Sequence, residues 1–288
     1  MSDLAPVFMG SVNRWECDEN DHLNVRFFAQ KMFQTLQSGL LEAGLAPADA
    51  GAIGDRIRSV HMRYIAEARI AAPLTGCFGV VGSGSTTHHV VTELRHTTTG
   101  NLMASYLFEI EHLLPPGPET IGKPEGAGGR GLPERCSDYI RLSLDDARQR
   151  GFSVIGQGVI QPEECDASGR LLFFQYIGRT SDSIPNLWAK LEGASSRGEG
   201  MLGGAVLEYR LDRQASLNLG DRFIIMSGFR SLAGKTKHLV HLLFDASTGN
   251  CVTASEAIAI NMDLVARKAV TIPDHEREAM SQMLIGEP

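Results

Sequence analysis

The sequence predicts an α+β protein in which one helix-and-sheet unit is built twice. Three observations carry this. One long amphipathic stripe stands near the start, four β-rich runs follow it, and the same features return about 148 residues later. With 288 residues, 43% of them hydrophobic, the chain is long enough for about two ordinary domains, each with its own core.

The elements follow in order. Residues 7–16 read as a short strand. Over residues 25–43, Phe28, Met32, Leu36 and Leu40 recur every four residues, joined by Phe33 and Leu41, which makes a wide helical stripe. Asn24 supplies an N-cap and Gly44 a C-terminal stop. Leaving such a stripe in water would forfeit roughly 2 kcal/mol per large side chain, so a sheet is expected to cover it. That sheet is predicted in residues 56–70, 76–82, 88–96 and 102–112, which are separated by Ala-Pro-Leu-Thr-Gly, Gly-Ser-Gly-Ser and Thr-Thr-Gly-Asn turns. Residues 114–135 are rich in Gly and Pro without periodicity and read as a surface linker. A short helix is expected in 137–150, capped by Ser143, with Asp145 and Asp146 in its first turn. The domain boundaries are therefore placed at 1–113 and 152–262, with 114–151 as connector and 263–288 as a peripheral tail.

The second copy announces itself by register. Cys165-Asp166 repeats Cys17-Asp18 at an offset of 148, and Leu171 and Tyr176 fall on Leu23 and Phe28. Thr248-Gly249-Asn250 repeats Thr99-Gly100-Asn101 at 149, and His238 falls on His89. Gly220 is assigned to Gly76 at 144, which requires a small deletion and a five-residue insertion between the copies. The second helix begins with Leu172, Tyr176 and Ile177. Pro185 is expected to break it near 181–185, with a further segment through Leu187, Trp188 and Leu191.

Composition excludes some functions. The formal net charge of −7 argues against nucleic acid or an anionic membrane as partner. Five cysteines stand singly with no C-x-x-C, which reads as reduced thiols in the cytosol, with neither disulfides nor a zinc knuckle. The first residues lack the basic and apolar regions of a signal peptide, and no apolar run reaches spanning length. A cytoplasmic protein is expected.

The chemistry concentrates in Asp18-Glu19-Asn20-Asp21-His22-Leu23-Asn24, just before the first helix. The open amides and positive dipole end of a helix start suit chemistry that builds negative charge on a carbonyl oxygen, and an acid beside them can serve as base or nucleophile. The plainer reading is that Asp18 and Asn24 cap the helix and His22 packs. The sequence holds no G-x-S-x-G, which argues against a serine-hydrolase route. Gly79, Gly82 and Gly84 fall between two strands and read as a hairpin turn, not a nucleotide loop. His88, His89, His238 and His241 lack ligand-spaced partners, so no metal site is expected.

A strand, a long helix and a four-strand meander, occurring twice, resemble a tandem (double) hot-dog fold. The motif from Asp18 to Asn24 resembles the D-x-x-G-H-x-N pattern of the 4-hydroxybenzoyl-CoA thioesterase-like branch, and Arg63-Tyr64 resembles that branch's second strand. The resemblance implies an acyl-CoA thioesterase of fatty acid metabolism that cleaves acyl-CoA or acyl-carrier thioesters. Asp18 would be nucleophile or base, and Asn24 and the helix start, near the Asn24 and Val25 amides, would organise carbonyl and water, with His22 in support. It implies no metal and no cofactor beyond the coenzyme A of the substrate, and a further homodimer of double hot-dogs.

One departure is Asp21 where the family has Gly, and Asp tolerates left-handed backbone better than most residues. In the second copy Asp166 and Gly169 keep the pattern, but Arg170 and Leu172 replace the positions of His22 and Asn24. That site is a second centre, a retired or altered one, or an anion seat built on Arg170, and the retired or altered reading is preferred. Arg56, Arg58, Arg63 and Arg69 are candidates for CoA phosphate contacts, against the plainer reading of a solvated strand face. Two other functions remain open: an acyl-thioester hydratase or dehydratase, whose family motif D-x-N-x-x-H is matched only with His22 one residue early, and a non-catalytic acyl-CoA-binding protein.

Overall fold

The structure is a computed structural model that describes residues 4–84, 86–111, 120–191 and 202–288. Its contacts divide into two compact units. The first runs to Gly129 and includes Asp166–Gly178; the second holds Arg130–Cys165 and everything from Arg179.

In the first unit, β1 (Ala5–Ser11) leads through a 3-10 turn at Arg14–Glu16 into α1 (Val25–Glu42). The short α2 (Pro47–Gly51) follows, and then β2 (Ile57–Tyr64), β3 (Pro73–Ser83), β4 (Thr87–His96) and β5 (Leu102–Glu111). The strands are antiparallel in the order β1-β3-β4-β5-β2. α1 lies on this sheet by its predicted stripe. Phe28, Met32, Leu36 and Leu40 are buried, whereas Leu41 is exposed. Gly39 allows the helix to meet the sheet closely, since a Cβ there would stand 2.0 Å from Cγ of Phe78.

The second unit repeats this plan. It comprises α3 (Leu144–Gln149), β6 (Ser153–Val159), the later part of α4 (Phe173–Ala189), β7 (Leu202–Arg213), β8 (Arg222–Ala233), β9 (Thr236–Asp245) and β10 (Cys251–Asp263). Its order is β6-β8-β9-β10-β7, the same order copy for copy. Even the irregularities recur. The register shift between Pro6 and Phe8 on β1 returns between Val154 and Gly156 on β6, and that between Val80 and Gly82 on β3 returns between Phe229 and Ser231 on β8. Bulges re-aim a strand at a fixed place, so their repetition marks a true duplication.

The expected register needs one correction. Val12 N–H donates to Ala72 O and Ala71 N–H to Val12 O, while Ile160 N–H donates to Asp221 O and Gly220 N–H to Ile160 O. Gly220 therefore matches Ala71, not Gly76, and both have positive φ, 87° and 64°. The copies run at 148 through most of the long helix and at 149 from this turn onward. A glycine-to-glycine match had hidden a left-handed alanine.

Three further expectations change. α4 continues through Pro185, because the apolar face of Leu187 and Leu191 is buried beyond it and Asn186 Nδ2 donates to Ile155 O at 2.7 Å. This anchorage offsets the backbone bond that proline cannot make. The connector is more than a surface linker. Ile121 packs with Leu4, Cys77 and Val91, and the amides of Arg130, Gly131 and Leu132 all donate to the buried Glu208 carboxylate. Residues 114–119 of it lie outside the described residues. The tail is integral: β11 (Lys268–Val270) pairs with β10, and Ile272 and Met280 of the α5 region (Asp274–Ser281) are buried.

Candidate active site at the start of the first helix

The segment before α1 folds back on itself as a small hairpin. Asp18 N–H donates to His22 O at 2.8 Å, Cys17 bridges Leu23, and Asn24 N–H donates to Glu16 O at 2.9 Å. Leu23 is buried and its N–H donates to Ala68 O, which ties the hairpin to the segment after β2. Asp21 turns the corner at φ 59°, the left-handed conformation that Gly169 adopts in the second copy. The aspartate therefore makes the same turn that the glycine makes in the second copy.

Within this loop the Asp18 carboxylate is divided. Oδ1 accepts from Asn20 N–H at 2.9 Å and His22 N–H at 3.1 Å, while Oδ2 has no partner among the described residues. Asn24 caps the helix through Oδ1, which accepts from Arg26 N–H at 2.9 Å. Phe27 and Phe28 N–H donate to Asn24 O. Asn24 has already spent its own amide on Glu16, so the expectation that it shares an oxyanion seat is corrected. The Val25 N–H alone in this opening has no partner among the described residues.

His22 is buried, and its Nε2 lies 3.2 Å from Glu67 Oε2. Glu67 carries no local signal in the sequence, since it stands in the loop after β2 and reaches His22 only through the fold. Burial first, then the Asp18, Asp21 and Glu16 carboxylates, push the Cys17 thiol up, and its Sγ donates to Asn13 O.

Below the loop, Glu16 is buried against Lys31 of α1 at 2.8 Å. The second copy has the same device, with Glu164 against Arg179 at 2.6 Å through Nε. Thr35 and Ser183, one turn on, donate to the carbonyls of Lys31 and Arg179. An ion pair kept in both copies belongs to the scaffold.

The Asp166 turn resembles that of Asp18, and its Oδ2 likewise has no partner among the described residues. Asp166 Oδ1 accepts from the amides of Ser168 and Arg170 and from Ser168 Oγ. Burial alone would raise its pKa, but these bonds and Arg170 outweigh it and hold the carboxyl below its usual range. Arg170 is ion-paired with Asp55. Phe173, at the place of Val25, is buried against Phe33, Phe108 and Tyr176, and Gly54 backs onto its amide. Of the four candidate phosphate-binding arginines, Arg58 pairs with Glu111, Arg56 with Asp49, and Arg63 donates to Glu125 O and Gly126 O. The guanidinium of Arg69 is exposed with no partner among the described residues.

No family model matches the sequence, and no curated protein matches it. Solved structures do. An acyl-ACP thioesterase from Bacteroides thetaiotaomicron aligns with TM-score 0.63 at 10% identity, over 88% of this chain and 96% of that one. A 12:0-ACP thioesterase from Umbellularia californica aligns with TM-score 0.62 at 12% identity, over 88% and 93%. At such identities the likeness is one of fold, and it spans nearly the whole of both chains. The chain has the tandem hot-dog fold that its sequence predicts.

Proposed function

We propose that this protein is a thioester hydrolase that cleaves acyl-CoA or acyl-carrier thioesters to a free acid and a thiol, at the start of α1. The observation that carries this is the pairing, on one short loop, of an open carboxylate oxygen (Asp18 Oδ2) with an open helix-start amide (Val25 N–H). The named activities of proteins sharing the fold support the same class of reaction.

The chemistry follows from these groups. Asp18 takes a proton from water, the nascent hydroxide attacks the thioester carbonyl carbon, and the negative charge on its oxygen is met by the Val25 amide and the helix dipole. Collapse expels the thiolate, which recovers the proton from Asp18. A thiolate leaves readily, so a single carboxylate and one oriented donor suffice. His22 holds the Asp18 turn by both of its backbone groups, and Glu67 fixes its ring. The Asp166 turn, which has Arg170 and Leu172 in place of the histidine and the capping asparagine and Arg170 tied to Asp55, serves structure in this reading.

The test is a panel of acyl-CoA thioesters of graded chain length, followed by loss of thioester absorbance. Turnover of at least one class is expected. Saturable binding of the whole panel without product would leave a non-catalytic acyl-thioester-binding protein instead.

A further inference from the structure

The two copies provide an internal comparison in which scaffold and site separate. Glu16, Cys17, Asp18, Lys31 and Thr35 have chemical equivalents in Glu164, Cys165, Asp166, Arg179 and Ser183, with the same hydrogen bonds. The positions around the open site do not. Arg14 and Trp15 become Pro162 and Glu163, and Arg69 becomes Asn218. The second copy thus lacks two cations and an aromatic ring as well as counterparts of His22 and Asn24.

In the first copy these three residues stand on two backbone segments that pair with the Asp18 loop and its lead-in. Arg14 and Trp15 lie in the 3-10 turn directly before Cys17, and Trp15 is 76% exposed. Arg69 is bridged through its backbone to His22, and the adjoining Ala71 and Ala72 pair with Val12. The Arg14 and Arg69 side chains are exposed and bond to no described residue. An uncommitted guanidinium suits a phosphate, and an exposed indole suits a nucleobase face.

Resting on the hydrolase reading above, we propose that Arg14, Trp15 and Arg69 seat the nucleotide end of a coenzyme A thioester, so that the substrate is acyl-CoA and not an acylated carrier protein. The remaining charges of these segments support that choice. Glu19 and Asp21 are exposed on the loop after Trp15, and Glu67 is exposed two residues before Arg69. A carrier protein with an acidic docking face would meet these carboxylates, and complementary potentials across a broad interface are what such docking needs. A compact diphosphate needs only the two guanidinium groups.

The experiment compares kcat/KM for an acyl-CoA, the matching acyl-pantetheine, and the same acyl group on a carrier protein, for wild type, Arg14→Gln/Arg69→Gln and Trp15→Leu. Calorimetric titration with free coenzyme A runs in parallel. The expected result is a wild-type preference for acyl-CoA over acyl-pantetheine that shrinks by about ten-fold per lost guanidinium, with coenzyme A binding weakened in step and by added salt. Equal kcat/KM for CoA and pantetheine substrates in wild type would overturn the proposal, as would a carrier-protein preference that survives in the double variant. If wild type hydrolyses nothing, the titration still decides. Coenzyme A binding that is lost in the double variant upholds the seat while the hydrolase reading fails, and absence of binding ends both.

Discussion

At the scale of single residues, function rests on how the polar atoms of one loop are shared out. Asp18 commits one oxygen to its own turn and keeps the other open, and Asn24 spends both its amide and its side-chain oxygen on building the helix start. The Val25 amide is left as the only donor of this opening without a partner among the described residues. Replacing Glu67 by Ala is expected to lower kcat about ten-fold with little change in KM, because His22 would lose the group that orients its ring; Glu67→Gln should recover part of the rate. Steady-state kinetics of the two variants checks this. The acid, imidazole and cap were legible in the sequence because they are neighbours in it. Glu67 was not, because its partnership with His22 spans a helix and a strand and has no spacing of its own.

At the scale of elements, close approach decides where the helices lie. Gly39 meets the Phe78 ring, Gly76 lies under Thr35, and in the second copy Gly156 lies under Ser183. A Cβ on Gly76 would stand 2.2 Å from Thr35 Oγ1 and one on Gly156 2.2 Å from Ser183 Oγ, so the same helix position rests on a glycine in each copy. Gly39→Ala is expected to destabilise the fold by about 1–3 kcal/mol, read from the urea midpoint, since the ring and helix cannot both stay in place. Asp21→Gly should act the other way, by up to about 1 kcal/mol, because it relieves left-handed backbone at φ 59°. The α1 stripe was readable from periodicity alone. The continuation of α4 was not, since Pro185 signals a break locally and only the buried Leu187 and Leu191 show why the helix goes on. The C-terminal segment was misread for a similar reason, as short runs with few apolar residues give no sign of the strand pairing that fixes them.

At the scale of the whole molecule, duplication has produced one scaffold twice with unlike interiors. In the second unit His241 is fully buried beside Ser227, with Nδ1 2.7 Å from Oγ, at the place Thr92 holds in the first. Burial pulls its pKa down from 6.5 to about 4. Below pH 6.5 the unfolded chain takes up a proton that the folded chain refuses, so stability falls as pH drops from 6.5 toward 4 and is retained above that window. Glu256 adds to the loss at lower pH. Burial would raise it, but the hydrogen bonds from His238 and Ser137 outweigh this and hold it at about 2, so its contribution is present above 4.5 and disappears as pH falls toward 2. Urea midpoints measured from pH 7 to pH 4 should decline, with up to roughly 3 kcal/mol assignable to His241 and removed from the slope in His241→Asn. The repeat itself was readable from the Cys-Asp and Thr-Gly-Asn pairs. Its true register was not, because Ala71 occupies a turn where a glycine would be expected.

The central claim is that one of the two matching turns works and the other is scaffold. Its most direct test is acyl-CoA hydrolysis by wild type, Asp18→Asn and Asp166→Asn, with circular dichroism confirming that each is folded. Asparagine keeps the Oδ1 acceptor that holds either turn and removes only the charge. The account predicts a loss of about 10²–10⁴ in rate for Asp18→Asn and near wild-type turnover for Asp166→Asn. Equal losses in both variants, or full activity in Asp18→Asn, would contradict it.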